Sequence, residues 1–170
     1  FVTVDNKKCI QFDGTSGTVV TLTDANGNSL LTGQKNITIS FKVKPTTKTT
    51  SWWFFASPNS SSQTYKKEQY LGAMTNSGTL TFERYNNSGT RSEAAKGAYN
   101  TNEWNDVIIS IADGVTDVYV NGTRTSSVNS TVNISDMLGK NSVAYIGKAN
   151  WGSGEYATGY IDDFVIYNYA

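Results

Sequence analysis

Short runs in which apolar and polar residues alternate recur along the chain, and they constrain its fold more than any other feature. The clearest run is Asn36–Pro45, NITISFKVKP, where Ile, Ile, Phe and Val occupy every second position. A period of two is that of a β-strand with one buried face. Turn signals such as Asp13-Gly14 and Asn121-Gly122 separate the runs, and helical character is limited to one turn at Ser135–Leu138. The pattern predicts an all-β fold of two packed antiparallel sheets.

The composition limits both the size of the fold and its partners. A chain of 170 residues suits one domain, residues 1–170, with a sizeable core. Lys plus Arg equals Asp plus Glu at 14 each, and this zero net charge argues against nucleic acid and against anionic membrane surfaces. No apolar run approaches the roughly 20 residues of a membrane helix. The start at Phe1 and the richness in Ser, Thr, Asn, Gly and Tyr lead us to expect a monomeric domain excised from a longer, secreted protein.

The chain lacks the residue patterns of the common hydrolytic sites. Hydrolysis of a glycosidic bond needs two carboxylates about 5–9.5 Å apart, which alternate positions on one strand could supply. Glu83 is alone on its strand, and the adjacent residues Asp162 and Asp163 point to opposite faces of theirs. With no histidine in the chain, neither a Ser-His nor a Cys-His pair can form. We therefore expect that the domain is not an enzyme.

The last predicted strand, Ala157–Tyr167, contains two adjacent carboxylates. A period of two places Ile161, Asp163 and Val165 on one face and Asp162 with Phe164 on the other. Neither face is purely apolar, so one carboxylate is expected to interrupt a buried face. A half-buried carboxylate needs a partner. In a chain without histidine, that partner is a backbone donor, Lys, Arg or a metal ion.

Exposed aromatic residues with polar neighbours are candidate ligand-binding residues, because binding sites combine apolar surface with a few polar groups. Trp52 and Trp53 cannot both face the core of a regular strand, so one is expected to be exposed, and Trp53 is our candidate. Glu83 and Tyr85 share the polar face of their strand, where Tyr70 and Arg91 of predicted neighbouring strands could join them. The alternative is a solvated sheet face with ordinary cross-strand pairs.

A glycine-rich loop precedes the last strand and carries further candidates. Within Asn150–Tyr156, NWGSGEY, Trp151 and Tyr156 are aromatic residues in a polar setting. An exposed loop tryptophan is costly without a use, which favours a binding role. The alternative is a loop that packs on the edge of its own domain.

Five segments of the sequence occur in the order of a known family: FDGTSGTVVTL, NITISFKVKP, NEWNDVIISIADGVTDVYVNG, AYIGKANW and GYIDDFVIYNYA. Together they resemble the laminin-G-like modules of the concanavalin A-like lectin/glucanase superfamily, most nearly those appended to bacterial glycoside hydrolases. The resemblance covers nearly the whole chain. It implies a jelly-roll sandwich with one concave and one convex sheet, but this fold carries enzymes, lectins and adhesion modules alike.

The resemblance also implies a structural calcium ion. Related glucanases carry a V-D-x-V-x-V-Y pattern in the last strand, and its calcium-binding aspartate corresponds to Asp162. Asp13, in the turn after the first strand, is expected to lie nearby as a second ligand, with Asp5 or backbone oxygens as alternatives. A chain without histidine should hold a hard, oxygen-binding metal if it holds one. The alternative is that Asp162 and Asp163 bind backbone amides or a lysine.

The expected function is a non-catalytic carbohydrate-binding module. It would hold an attached glycoside hydrolase near a complex polysaccharide, such as a plant cell-wall glycan, outside a bacterium or at its surface. The alternatives are an adhesion or protein-interaction module and a structural spacer. An exposed aromatic strip would favour sugar, and a flat apolar patch of several hundred Å² would favour protein.

Overall fold

The fold is an antiparallel β-sandwich. The computed structural model describes residues 1–59, 69–85, 91–93, 97–112, 114–129, 134–151 and 155–170. Within these ranges the chain forms fourteen strands and one helical turn. They are β1 (Val2–Val4), β2 (Lys7–Asp13), β3 (Val20–Thr21), β4 (Ile37–Pro45), β5 (Ser51–Ser57), β6 (Tyr70–Asn76), β7 (Thr79–Tyr85), β8 (Arg91–Glu93), β9 (Gly97–Ala98), β10 (Asn105–Ala112), β11 (Val115–Val120), β12 (Thr123–Asn129), α1 (Ile134–Met137), β13 (Val143–Ile146) and β14 (Thr158–Tyr167). No helix in this part of the chain is long and apolar enough to cross a membrane.

The strands form two sheets, as the alternating pattern predicts. Sheet 1 has the order β1-β2-β14-β4-β10-β11-β12. Sheet 2 has the order β3-β13-β5-β6-β7-β8, and β9 also pairs with β7. The order places the last strand, β14, between β2 and β4, so the end of the chain completes the middle of sheet 1. The all-β class is confirmed, and α1 matches the helical turn predicted from Ser135–Leu138.

The core lies between the two sheets and is built from every second residue of the central strands. In β4 the burial alternates strictly, with the lysines on the outer side of the sheet. A buried side chain of this size contributes about 1.5–3 kcal/mol by leaving water. The main core residues are Phe12, Ile37, Ile39, Phe41, Val43, Trp53, Phe54, Leu71, Leu80, Phe82, Val107, Ile109, Ile111, Val118 and Ile161.

A β-bulge in β14 leaves both carboxylates outside the core, and Asp162 is half-buried, as expected for one of the two. The register against β4 shifts between Asp162 and Val165, and Asp163 has a positive φ of 50°. The extra residue changes the phase of the alternation. Ile161 before the bulge and Phe164 after it therefore both pack on the core. Asp163 is exposed and forms an ion pair with Lys42, one of the partners considered above.

A second bulge, in β5, buries two tryptophans, so the exposure predicted for Trp53 is wrong. The register between β5 and β6 shifts between Trp52 and Phe54. Trp53 and Phe54 therefore both face the core, while Trp52 faces the opposite side of sheet 2. The indole N–H of Trp53 donates to the Thr75 hydroxyl over 2.9 Å, and its ring meets Phe12 edge to face. Trp53 is a core residue and cannot serve as a sugar platform.

Candidate functional site

The outer face of sheet 2 carries a second cluster of buried aromatic residues, which we call the outer cluster. Its members are Trp52, Phe55, Tyr70, Met74, Tyr85, Tyr145 and Ala149, with Val143 and Trp151 packed against them. The alternation of β7 explains its position, since Leu80 and Phe82 face the core and Tyr85 faces the other way. Burial raises the pKa of Tyr145. The alternative of an ordinary solvated sheet face is therefore wrong.

Three predicted binding residues form one row across sheet 2. Tyr70 of β6 pairs with Tyr85 of β7, and Tyr85 pairs with Arg91 of β8. The two tyrosine rings stack with centroids 4.7 Å apart. The guanidinium carbon of Arg91 lies 6.0 Å from the centroid of the Tyr85 ring, a cation–π distance. The row thus runs from a fully buried ring to a partly exposed cation.

Glu83 forms hydrogen bonds with two residues of this row, and its side chain is fully buried. The Tyr70 hydroxyl donates to Glu83 Oε2 over 3.0 Å, and Arg91 donates to Glu83 Oε1 over 3.0 Å. The side chain of Glu83 is 0% exposed and that of Arg91 is 35% exposed. Charge-assisted bonds of this kind fix the orientation of both partners. The predicted grouping of Tyr70, Glu83, Tyr85 and Arg91 is confirmed, although three of them are buried rather than solvated.

Trp151 packs on the outer cluster and is held there by a residue that the sequence did not suggest. Its ring meets Trp52, Phe55 and Tyr70 edge to face, with centroids 5.2–5.3 Å away. The indoles of Trp52 and Trp151 both donate to Glu155 Oε2 over 2.8 Å. Glu155 has a positive φ of 63° and lies in the loop between Trp151 and β14. The sequence contains one signal for this contact, since Glu155 lies four residues after Trp151 in the same loop.

The remaining loop candidate is not part of this arrangement. Tyr156 is partly buried and does not belong to the outer cluster. Residues 152–154, which include the two loop glycines, lie outside the described residues. Trp151 therefore fits the alternative of a loop packed on its own domain, although the residue is only partly buried.

The two predicted calcium ligands lie far apart. Asp13 pairs with Thr158, whereas Asp162 follows Ile161, the partner of Ile10. At about 3.3 Å per residue, Asp13 and Asp162 are separated by roughly 13 Å along the strands. Ligands of one calcium ion lie about 2.3–2.6 Å from it, so these two cannot share it. The predicted pair is therefore wrong.

Each of these carboxylates has protein donors instead. Asp13 Oδ1 accepts hydrogen bonds from the hydroxyls of Thr18 and Thr15, which lower the pKa of Asp13. Asp162 Oδ1 accepts the backbone N–H of Asp163 over 2.9 Å. Asp5, the alternative ligand, is bonded by Lys44 and by the Trp104 indole. Among the described residues no group of three or more His, Cys, Asp or Glu side chains is placed to hold a metal.

Calcium binding by the chain stays a prediction, and melting curves test it. EDTA is expected to lower the melting temperature and added Ca²⁺ to restore it, because an ion that binds only the folded state adds about 2.7 kcal/mol at a hundredfold excess over Kd. The variants Asp13→Ala and Asp162→Ala, measured separately, show whether either carboxylate takes part. Melting curves that ignore both EDTA and Ca²⁺ would remove calcium from the account.

A family model now identifies the chain. The model described as the concanavalin A-like lectin/glucanases superfamily matches residues 13–170, all but the start of the chain. The chain belongs to this superfamily. Its two-sheet architecture and the central position of β14 agree with the jelly-roll sandwich that the resemblance implies. Comparison with curated protein sequences finds no match.

Several solved structures have the same fold as this chain at low sequence identity. The Ruminococcus gnavus IT-sialidase CBM40 bound to α2,3-sialyllactose aligns with a TM-score of 0.75 and 17% identity, over 95% of this chain and 90% of that one. Domain 4 of AbnA, a GH43 extracellular arabinanase from Geobacillus stearothermophilus, in complex with arabinotriose, aligns with a TM-score of 0.65 and 19% identity, over 94% and 81%. In the Streptococcus pneumoniae NanB sialidase, 26% of the chain matches 95% of this one, with a TM-score of 0.71 and 21% identity. At these identities the likeness shows the fold alone.

Proposed function

We propose that this superfamily member is a non-catalytic carbohydrate-binding module. Two of its structural neighbours are the sialidase CBM40 with sialyllactose and the arabinanase domain with arabinotriose. In our proposal the chain is a monomeric part of a secreted bacterial glycoside hydrolase. Its target is a complex polysaccharide, such as a plant cell-wall glycan. The module raises the local concentration of substrate around the attached catalytic module and performs no chemistry itself.

The outer cluster is the single feature that carries this proposal. A water-soluble sandwich needs apolar residues between its sheets, yet here the outer face of sheet 2 holds a second set of aromatic rings. At its edge are the partly exposed residues Arg91 and Trp151. The Trp151 ring at this edge can pack on the apolar face of a pyranose, and the Arg91 guanidinium can donate to its hydroxyls. Glu83 and Glu155 hold these two side chains in place.

The buried carboxylate Glu83 supports a binding role rather than a catalytic one. Its two oxygens accept hydrogen bonds from Tyr70 and Arg91, and no part of the side chain is exposed. A glycosidase acid must reach the oxygen of the scissile bond. Glu83 instead preorganises the donors of Arg91, which reduces the entropy lost when a sugar binds.

Retention of the protein on gels that contain polysaccharide tests the proposal. We expect at least one of arabinan, xylan, galactan or xyloglucan to retard the parent chain. Trp151→Ala should weaken this binding by about 1–3 kcal/mol, by analogy with the contribution of a base stacked on an aromatic side chain. Tyr169→Ala is the matched control, because Tyr169 is an exposed ring that is not part of the outer cluster. Tyr156→Ala tests the predicted contribution of the second loop residue.

Two results would contradict the binding role. The first is that no polysaccharide in the panel retards the parent chain. The second is that Trp151→Ala and Tyr169→Ala behave alike while both remain folded. In addition, release of reducing sugar that survives repurification and disappears on mutation of one carboxylate would show catalysis.

One observation favours the adhesion alternative. On the outer face of sheet 1, Val165 of β14 and Ile108 of β10 flank Ser40 of β4 in register. Val165, Ile108 and Tyr167 are exposed apolar residues. Such a patch is a feature of protein contacts when it is large. If Ile108→Ser abolishes capture of a partner protein while polysaccharide binding is unchanged, the chain has an adhesion role as well.

A further inference from the structure

One edge of a strand inside sheet 1 is left open. β14 continues to Tyr167, but it pairs with β2 only from Thr158 to Ile161. On its other side it stays paired with β4 as far as Tyr167. Among the described residues, no backbone hydrogen bond joins residues 164–167 to a segment other than β4. We call the free side of residues 164–167 the open edge. Unpaired backbone groups of this kind can pair with another strand.

β2 separates from β14 because its hairpin turn is held elsewhere. Asp5, in the turn between β1 and β2, accepts hydrogen bonds from Lys44 Nζ over 2.6 Å and from Trp104 Nε1 over 3.0 Å. Lys44 is on the outer side of β4, and β14 lies between β2 and β4. The turn therefore crosses the outer side of β14 to reach these partners. The open edge is thus a consequence of contacts within the folded domain.

A cavity of about 340 Å³ lies beside the open edge, on the inner side of β14. Phe164 and Ile166 line it, and both also pack on the core. The other lining residues are three leucines and two amides, Leu22, Leu30, Leu31, Gln34 and Asn168. Leu30 is 53% exposed, so the cavity opens to solvent. An apolar side chain can enter it, and the two amides can bind backbone groups of the segment that carries this side chain.

The outer side of the same segment is also apolar. Val165 and Tyr167 are 40% and 39% exposed. Because side chains alternate along a strand, a strand added at the open edge would contact the cavity with one face and these two residues with the other. Backbone bonds supply the affinity of such an added strand, and pockets for alternate side chains supply its specificity. Residues 164–167 offer both.

The charges beside the open edge favour a segment with acidic ends. Lys8 is exposed and lies on β2 beyond its last pair with β14, where the two strands separate. Lys35 is exposed and precedes β4, whose start pairs with the end of β14. The nearby carboxylate of Asp163 forms an ion pair with Lys42. An acidic residue at each end of an added segment would complement the two exposed lysines.

We propose that the open edge binds an extended segment of a partner protein. The segment adds a strand to sheet 1 and places an apolar side chain in the cavity. It alternates apolar and polar residues and has an acidic residue at each end. This site shares no residue with the outer cluster, so it does not depend on the proposed sugar binding.

Fluorescence anisotropy with short labelled peptides tests the proposal. The probe has the sequence EVTVTVE, and we expect it to bind saturably. One control, EVVVTTE, has the same composition without the alternation, and another, KVTVTVK, reverses the charge of both ends. Each control should bind about tenfold more weakly, because it loses either the side-chain fit or the pairing with the lysines. Absence of saturable binding, or equal binding of the three peptides, would overturn the proposal.

Leu30→Ser shortens an exposed side chain of the cavity and should weaken binding of EVTVTVE about tenfold. Ile108→Ser is the matched control, because Ile108 is an exposed aliphatic residue of β10, which β4 separates from β14. If Ile108→Ser weakens the binding and Leu30→Ser does not, the peptide lies on the flat outer face of sheet 1 and the proposal is wrong. Trp151→Ala should leave peptide binding unchanged, and Leu30→Ser should leave polysaccharide retardation unchanged, so either site can fail without the other.

Backbone N-methylation of the probe tests strand pairing itself. One version is methylated on the valine nitrogens and the other on the threonine nitrogens. At least one of them should bind about tenfold more weakly, because the methyl group removes the hydrogen-bond donors on one edge of the peptide. If both versions bind as tightly as the parent peptide, no strand is added.

Hydrogen exchange at residues 164–167 tests whether the edge is open in the free protein. The backbone amides that do not bond to β4 should exchange quickly with D₂O, and EVTVTVE should slow them. Slow exchange of all these amides in the free protein would show that the edge is already paired. That result would overturn the proposal.

Discussion

Trp53→Ala is expected to lower the free energy of unfolding by about 3–5 kcal/mol, the usual cost of truncating a buried tryptophan. The ring is fully buried between the sheets and meets Phe12 edge to face with centroids 6.2 Å apart. Its removal also leaves the Thr75 hydroxyl, itself buried, without the indole donor. Urea denaturation followed by circular dichroism measures the loss.

Trp104→Ala is the control for this prediction. Trp104 is partly buried, lies outside the core and donates to Asp5 at the surface. Its removal should lower stability by about 1 kcal/mol, which is typical of a substitution outside the core. If both variants lose the same free energy of unfolding, the placement of Trp53 in the core is contradicted. Removing an exposed Trp53 ring would lower stability no more than removing the Trp104 ring.

Gly147→Ala is expected to lower the free energy of unfolding by about 2–5 kcal/mol. Gly147, directly after β13, has a φ of 95°, where a side chain costs about 1–2 kcal/mol. An added Cβ would also lie 2.3 Å from Cε1 of Phe12, and such overpacking adds about 1–3 kcal/mol. Phe12 cannot move away easily, since it packs on Trp53 in the core.

Gly122→Ala separates the two contributions. Gly122 has a similar φ of 76°, but an added Cβ would meet no atom within 4 Å. The variant should therefore lose only the conformational part, about 1–2 kcal/mol. If thermal melting places Gly122→Ala and Gly147→Ala at the same temperature, the close contact between Gly147 and Phe12 is wrong.

The strands of the sandwich could be predicted because most of them keep a strict period of two. Ile37–Pro45 is buried at every second residue, as the sequence indicates. The Asn121-Gly122 signal also correctly places the turn between β11 and β12. Such features depend on residues that are close together in sequence. The short strands β1 and β9 carry too few residues for a period and were missed.

The two bulges could not be predicted, and the one in β5 accounts for the error at Trp53. A bulge inserts one residue and reverses the faces of all residues beyond it. At the bulge in β14, Asp163 adopts a positive φ. Asp tolerates this conformation but does not require it, so the residue type alone does not mark the bulge. For Trp53 the hypothesis assumed a solvated outer face on sheet 2, whereas that face is a second apolar layer. Two tryptophans can then both be buried, on opposite sides of one sheet.

The role of Glu155 depends on contacts that are distant in sequence. Its carboxylate joins Trp52 and Trp151, and Trp52 enters the arrangement only because β5 carries it to the outer face. By contrast, Tyr70, Glu83, Tyr85 and Arg91 lie on three consecutive strands, so simple antiparallel pairing brought them together correctly. Local pairing could be predicted, whereas contacts across the sheet could not.

The indole N–H signals of the four tryptophans in a ¹H–¹⁵N spectrum test the central claim most directly. Each indole has a defined acceptor: Glu155 for Trp52 and Trp151, Thr75 for Trp53, and Asp5 for Trp104. The spectrum is titrated with arabinan, xylan and galactan oligosaccharides. A sugar on the outer cluster is predicted to shift the signals of Trp151 and Trp52 and to leave those of Trp53 and Trp104 in place. Shifts confined to Trp104, or no shift with any of these sugars, would contradict it.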